Sequence, residues 1–444
     1  MKVIIAGAGE VGTHLAKLLA RESMDTTLID ADPERLVDLE MNYDLLTRVG
    51  DPTSIESLKE AGVDKADLFI AVTPNESVNM TACMLATNLG ADKTLARIEN
   101  NEYLLPKHKE FFLHLGVDYL ILPETLAANE IVESLQYPWL RQSMSFHDKA
   151  LILFGIKIRE DVPILNRKFN SGYFDHGKYR VVAINRKSKT IIPKGNDEIQ
   201  VNDIVYFVTM KENIDFLREE TGKKDFQVRN VMIMGGSRIA QNTIKNLPSH
   251  IHVKMLERDK EKCYHLAECL NDVLVINADG RNVDVLRAES IEEIDAFVAT
   301  TANSEANILA CLEAKRLGVK KTIAEVENID YIQLAEELDI GTVVNKKLLA
   351  ASYIYQLTLD ADVLDVRSLT SVDAEVVEFV AKPGSKVTKS QIKDIRLPEN
   401  VNIGGIVRDG VGAIAYGNTQ ILPDDHIIVF CASSTIRKVE SLFN

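Results

Sequence analysis

Short runs rich in aliphatic and β-branched residues alternate with longer stretches of helical period through the opening of the chain. Lys2–Ala6, Thr26–Ile29, Leu45–Val49, Leu68–Val72, Thr94–Ile98 and Tyr119–Leu122 read as strands, with helices such as Val11–Arg21 and Ser77–Leu89 between them. Alternation of that kind predicts right-handed βαβ units and a parallel, doubly wound sheet. Beyond residue 136 the pattern changes. Runs such as Tyr179–Asn185 and Ile204–Thr209 are separated by the polar turn clusters Lys187-Ser188-Lys189 and Lys194-Gly195-Asn196. They predict a smaller, mostly antiparallel α/β unit.

The pattern then repeats. Leu68-Phe69-Ile70-Ala71-Val72-Thr73-Pro74-Asn75 matches Ala296-Phe297-Val298-Ala299-Thr300-Thr301-Ala302-Asn303 at an offset of 228 (301 − 73). The same offset pairs Gly7 with Gly235, Asp51 with Asp279, Asn79 with Asn307, Gly90 with Gly318 and Asn100 with Asn328. Farther along, Ile184-Asn185-Arg186, Gly195 and Asp203 answer Ile406-Val407-Arg408, Gly417 and Asp425 at an offset of 222 (408 − 186). Self-similarity at a long fixed period marks a duplicated architecture. The expected layout is large module, small module, large module, small module over 1–136, 137–222, 229–360 and 361–444, with Glu219 to Asp225 as the clearest linker. The fold class is α/β: two Rossmann-type parallel-sheet domains, each followed by a small mixed α/β domain.

Composition narrows the function. Of 444 residues, 46% are hydrophobic and 26% charged, as in a soluble globular protein. The net charge of -15 argues against nucleic acid or an anionic membrane surface as the main partner. No apolar run is long enough to span a bilayer, and the N-terminus runs straight into a glycine turn, so a cytoplasmic location is expected. Cys83, Cys263, Cys269, Cys311 and Cys431 include no C-x-x-C pair, as expected of reduced thiols. Cys263, His265 and Cys269 lack a fourth ligand at the usual spacing. A plain helix face is the better reading, and no metal is expected.

The chemistry lies in the glycines. Gly7-Ala8-Gly9-Glu10-Val11-Gly12 follows the first strand and opens the first helix, the context a dinucleotide fingerprint requires. Gly7 permits the turn, Gly9 lets backbone approach a pyrophosphate, and Gly12 lets helix pack on strand. The N–H groups of Ala8 to Val11 then face the phosphates from the positive end of the helix. Asp30, at the tip of the second strand, would accept from both ribose hydroxyls and repel a 2′-phosphate, favouring NAD or a plain adenosine nucleotide over NADP. Gly50 and Asp51 would flank the adenine, and Thr73 and Pro74 would lie under the phosphates. Asn75, Glu76 and Asn79 serve either the pocket or the cap of the next helix. Arg97, ending the fifth strand, reaches either a phosphate or a surface acid.

The second copy is altered. Gly235-Gly236-Ser237-Arg238-Ile239-Ala240 has Ser237 in place of the second motif glycine, Glu257 replaces Asp30, and Glu325 stands where Arg97 does. A phosphate-facing cation thereby becomes an anion, so weaker binding or a differently charged ligand is expected there. Asp279, Thr301 and Ala302 keep the remaining positions. The small modules hold no convincing acid–base set: His147 and His176 have no counterparts in the second copy. Two duplicated pockets suit a ligand-gated regulator, which can bias one shared equilibrium from two sites. An NAD-dependent oxidoreductase is the alternative.

At these residues the chain resembles a known family. GAGEVG, the acidic strand tip, the Gly-Asp after the third strand and Thr73-Pro74-Asn75-Glu76-Ser77-Val78-Asn79 resemble RCK (regulator of potassium conductance) N-terminal domains. Ala183-Ile184-Asn185-Arg186 with Gly195 and Asp203, and Gly405-Ile406-Val407-Arg408 with Gly417 and Asp425, resemble RCK C-terminal domains. The resemblance implies a cytoplasmic regulatory subunit, peripheral on the inner face of the membrane and assembled into a ring as a homodimer or homotetramer. That ring would dock on an integral membrane potassium transporter, with NAD, NADH or ATP/ADP setting its conformation. It places phosphate contacts at Gly7 to Val11, Thr73, Pro74 and Arg97, and ribose or base contacts at Asp30 and Asp51. The matching second set is Gly235 to Ile239 with Glu257 and Asp279, then Thr301, Ala302 and Glu325.

Overall fold

The structure, a computed structural model, describes residues 1–21, 24–187, 189–359, 363–369, 374–432 and 435–444. Ser188 of the expected turn cluster and the expected module boundary at 360/361 lie outside the described residues. Strands β1 (Lys2–Ala6), β2 (Asp25–Asp30), β3 (Leu46–Val49), β4 (Leu68–Ala71), β5 (Lys93–Arg97) and β6 (Tyr119–Ile121) form one parallel sheet in the order β3-β2-β1-β4-β5-β6. β4 is buried at every position and β1 at all but its first, as strands covered on both faces by helices must be. The order reverses between β1 and β4, so their carboxyl ends border an open crevice.

β7 (Gln142–Phe146), β8 (Leu151–Lys157), β9 (Tyr179–Arg186), β10 (Lys189–Ile191) and β11 (Ile204–Thr209) then form an antiparallel sheet, β10-β9-β11-β8-β7. The second half repeats both constructions. β12 (Asn230–Met234), β13 (His252–Glu257), β14 (Val273–Asn277), β15 (Ala296–Ala299), β16 (Lys321–Glu325) and β17 (Thr342–Val344) lie in the order β14-β13-β12-β15-β16-β17. β18 (Val363–Ser368), β19 (Glu375–Val380), β20 (Val401–Arg408), β21 (Val411–Ile414) and β22 (His426–Cys431) form β18-β19-β22-β20-β21. Strand for strand, this last sheet has the topology of the first antiparallel one.

The residues that reveal the small-module repeat hold those sheets together. Arg186 grips the buried Asp203 with both arms (Nε–Oδ1 2.9 Å, Nη2–Oδ2 2.8 Å) and donates to Glu198 O at 2.7 Å. Arg408 does the same to Asp425 (2.7 and 2.6 Å) and to Gln420 O at 3.0 Å. A buried carboxylate needs such a partner, and a two-armed guanidinium supplies charge and direction together.

The described residues fall into two compact units, Met1–Leu126 with Lys347–Ala361, and Ala127–Lys346 with Asp362–Asn444. The first unit thus includes residues 347–361 from the second half of the repeat, and the second unit includes residues 127–222 from the first half. Within the second unit, Phe146, Leu151 and Val182 of the first antiparallel sheet share a core with Val376, Ile428 and Phe430 of the second. Arg180 spans them, donating to Ala415 O at 2.8 Å and Asn402 Oδ1 at 3.2 Å. Also in this unit, Asp339 collects Arg141, Lys157 (3.1 Å), Arg159 (2.5 Å) and Lys315 (2.7 Å). Among the described residues, no helix is long and apolar enough to cross a membrane.

Candidate functional site

In the first unit the glycine loop is shaped by contact. Gly7 has φ +111°, and a Cβ there would fall 2.9 Å from Thr73 N; at Gly12 it would fall 1.9 Å from Gly7 O. Neither position tolerates a side chain, which draws the loop tight between the ends of β1 and β4. Gly9 differs: a Cβ would meet nothing within 4 Å, so the loop there faces open space.

Asp30, 8% exposed at the tip of β2, accepts from Ala8 N at 2.6 Å and Asp32 N at 2.9 Å, with Arg35 at 3.8 Å. Its carboxylate therefore fixes the glycine loop. Asp51 closes a turn, accepting from Thr53 N at 2.8 Å and Thr53 Oγ1 at 2.7 Å. Those bonds, the backbone one foremost, hold its carboxyl below the usual range. Thr73 follows β4, with Pro74 exposed beside it.

Asn75, Glu76 and Asn79 part ways. Asn75 caps the helix Glu76–Leu89, accepting from Ser77 N and Val78 N at 2.9 and 3.2 Å. Glu76 accepts from Glu99 N and Asn100 N at 2.5 and 2.8 Å. Asn79 is no cap. Almost fully buried, it accepts from Thr73 N (2.9 Å) and Thr73 Oγ1 (2.7 Å) and donates to Thr73 O (3.0 Å) and Arg97 O (2.9 Å). One amide thus brackets the tips of β4 and β5. Asn307 repeats the bracket on Thr301 and Glu325 O, at 2.6 to 3.1 Å.

In the second unit a cavity of about 480 Å³ opens at the corresponding place. Gly235, Gly236 and Ser237 line it, as do Glu257, Asp279, Thr301 and Ala302. Glu257 binds the loop as Asp30 does, accepting from Gly236 N and Asp259 N, each at 2.9 Å. Burial pushes its carboxyl up, but those two N–H donors and Lys262 at 3.0 Å outweigh it and hold the group below the ordinary value. Ser237 adopts an extended φ of -65° that any residue accepts, and its Oγ caps the helix Arg238–Asn246 through Ala240 N. Arg238 is exposed at the head of that helix and Ile239 is buried in the core, so Ile239 offers the site only backbone.

Glu325 corrects the sequence expectation. It is 2% exposed, is absent from the cavity lining, and pairs with Lys346 at 3.4 Å. Its counterpart Arg97 pairs with Glu124 at 3.7 Å. The charges are exchanged as a pair between the strand tip and the helix that follows the next strand, so the anion at β16 is answered locally. The cavity is edged instead by three cations, Arg258, Lys262 and Arg281. Arg281 pairs with Asp279 at 2.6 Å, and the side-chain hydrogen bond lowers the Asp279 pKa to about 2. Sequence reading passed over these cations because they have no counterpart in a strand-tip motif, although Lys262, like Arg35, follows the acidic strand tip by one helical turn. It also missed Lys347, which pairs with Glu10 of the first glycine loop within the first unit. Burial lowers the Lys347 pKa.

Duplicated Rossmann-like domains, each followed by an antiparallel module, define the class: a tandem RCK protein. The TrkA-N domain model matches residues 3–123 and 231–346, and the TrkA-C domain model matches 153–222 and 376–444. The chain belongs to the TrkA family of Trk system potassium uptake proteins. It is 34% identical to the Trk system potassium uptake protein TrkA of Vibrio alginolyticus, over all of this chain and 98% of that one. The Haemophilus influenzae TrkA is 33% identical over the same shares. Among solved structures, the GsuK RCK domain matches with a TM-score of 0.59 at 15% identity, covering 100% of this chain and 94% of that one. The GsuK channel bound to NAD matches equally well, with 78% of it covered.

Proposed function

We propose that the chain is the nucleotide-sensing regulatory subunit of a potassium transport system, acting by ligand-dependent change of shape and not by catalysis. The observation that carries this is the repeated carboxylate–glycine-loop lock: Asp30 on Ala8 N and Glu257 on Gly236 N, each at the switch point of a doubly wound sheet. In both halves it leaves a helix N-terminus and backbone N–H groups for a pyrophosphate, and a carboxylate with spare lone pairs for ribose hydroxyls. The ligand read at Gly7 to Val11, Asp30, Asp51 and Thr73 is NAD, NADH, ATP or ADP. The second crevice, with Arg258, Lys262 and Arg281 at its edge, takes the same class. The relatives' names and the NAD on the GsuK channel support this reading.

The modules 1–136, 137–222, 229–360 and 361–444 serve as two pairs, each of one sensing and one transmitting module. The subunit is cytoplasmic, self-associates into a ring and docks on an integral membrane potassium transporter subunit (TrkH-like). The transporter must then change nucleotide affinity by the factor by which nucleotide changes docking. Calorimetry of the purified chain with NAD, NADH, ATP and ADP tests the binding. Asp30→Ala removes charge-assisted bonds worth about 1.5–3 kcal/mol each, so first-site affinity falls tenfold or more. Unchanged affinity removes Asp30 from the site. Reconstituted potassium flux responds to the nucleotide, and Gly9→Val, which fills the open approach, abolishes the response. Hydride transfer by the subunit alone would establish the oxidoreductase reading instead.

A further inference from the structure

Away from the crevices, the second unit brings two imidazoles and a carboxylate to one point. His147 sits in the turn between β7 and β8, Glu378 stands in β19 and His426 opens β22. His426 Nδ1 lies 2.8 Å from Glu378 Oε1, and His147 Nδ1 lies 3.7 Å from the same oxygen. The imidazole centroids are 4.2 Å apart, and one ligand atom from each residue lies within 4.8 Å of the other two. Glu378 is 4% exposed, and among the described residues its carboxylate pairs with these two histidines. His147, Asp148 and Lys149 all have positive φ (44°, 51° and 71°), a costly left-handed turn that presents His147 to the second sheet.

We propose that His147, Glu378 and His426 bind a divalent transition-metal ion of the Zn²⁺ class, which clamps the β7–β8 turn to the β19–β22 face. The nearly buried carboxylate and both imidazoles turn ligand atoms to one point, and a buried carboxylate calls for a positive partner. One divalent ion satisfies all three groups. Tetrahedral Zn²⁺ with bonds near 2.0–2.1 Å sets its ligand atoms about 3.3 Å apart. The distances of 2.8 and 3.7 Å straddle that spacing, so small side-chain adjustments complete the site. Two nitrogens and one oxygen favour Zn²⁺, Co²⁺ or Ni²⁺ over Mg²⁺ or Ca²⁺. The histidine side chains are 31% and 22% exposed, giving the ion a way in and water a fourth position. The cluster at Cys269 offers no equivalent: its sulfur lies 3.7 Å from His265 Nε2, but buried Cys263 is turned to Glu257 O.

Chelator-treated, nucleotide-free full-length chain is titrated with Zn²⁺ by calorimetry, with Co²⁺ absorption as a second readout. One site is expected, weakened about a hundredfold or more in His147→Gln and in His426→Gln, since even outer partners of metal ligands are worth 10–100-fold. Cys269→Ser keeps the site, and the Co²⁺ spectrum shows no thiolate charge-transfer band. Saturating Zn²⁺ raises the Tm of the wild type and not that of His147→Gln, a turn variant that leaves the strands intact. Zn²⁺ affinity unchanged in both histidine variants, binding lost with Cys269→Ser, or no binding by the wild type would each overturn the assignment.

Discussion

At the scale of the residue, Asn79 shows how much one side chain decides. Its amide is satisfied by Thr73 and by the carbonyl of Arg97, and it lies beneath the segment proposed to carry the phosphates. Asn79→Ala leaves the Thr73 N–H, the Thr73 carbonyl and the Arg97 carbonyl without this partner. Buried polar groups left unmet cost about 1–3 kcal/mol each. We therefore expect a lower urea midpoint and weaker nucleotide binding together, and Asn79→Asp, which lacks the two amide donors, should not restore either. Stability unchanged in Asn79→Ala would show that water replaces the bracket. Asn79 and Asn307 were legible as a repeated pair, yet a repeat reveals that a position matters and not what it touches.

At the scale of the element, the two antiparallel sheets depend on their Arg–Asp clamps. Asp203 is 1% exposed and also accepts from Gln200 N at 2.8 Å. Asp203→Asn discards the charge that answers Arg186 and should cost about 3 kcal/mol, the lower end for breaking a buried pair. Denaturant unfolding followed by intrinsic fluorescence would measure it, since Trp139 packs on Phe154 of β8 at 5.5 Å between ring centroids. A change below a few tenths of a kcal/mol would mean that the clamp is incidental. Strand positions were readable from apolar runs because strands in a doubly wound sheet are buried on both faces. The edge strand β3 shows how little that needs: it is mostly exposed yet sits at the predicted place.

At the scale of the whole molecule, the cations around Asp339 tie chain from two modules, 137–222 and 229–360, together within the second unit. Burial alone would raise the Asp339 pKa, but Arg141, Lys315 and Arg159 outweigh it and hold the carboxyl well below the usual range. A folded pKa below the unfolded one means stability that is present above the unfolded value, near 4, and lost as pH falls through the folded one. Asp339→Asn should therefore lower the urea midpoint at pH 7, and its deficit against wild type should shrink steadily below about pH 4. A deficit that stays constant with pH would assign the loss to packing and not to charge.

What the sequence by itself determined is what local periodicity and repetition can encode. The parallel strands implied by alternation, the glycine loops and the acidic strand tips depend on neighbours a few residues apart, and the duplication shows as a second occurrence of those same patterns. Those short-range patterns are imposed by backbone hydrogen bonding and by burial of one face. Tertiary structure alone decided which distant charges meet. It set Lys346 on Glu325, Lys347 on Glu10, four cations around Asp339, and His147 against Glu378 and His426. Each of these joins residues far apart in the chain, and no period in the sequence records them. The anion expected to face a phosphate at Glu325 became a buried, paired charge for this reason: a carboxylate in a low-dielectric site is held by whichever cation packing brings within reach.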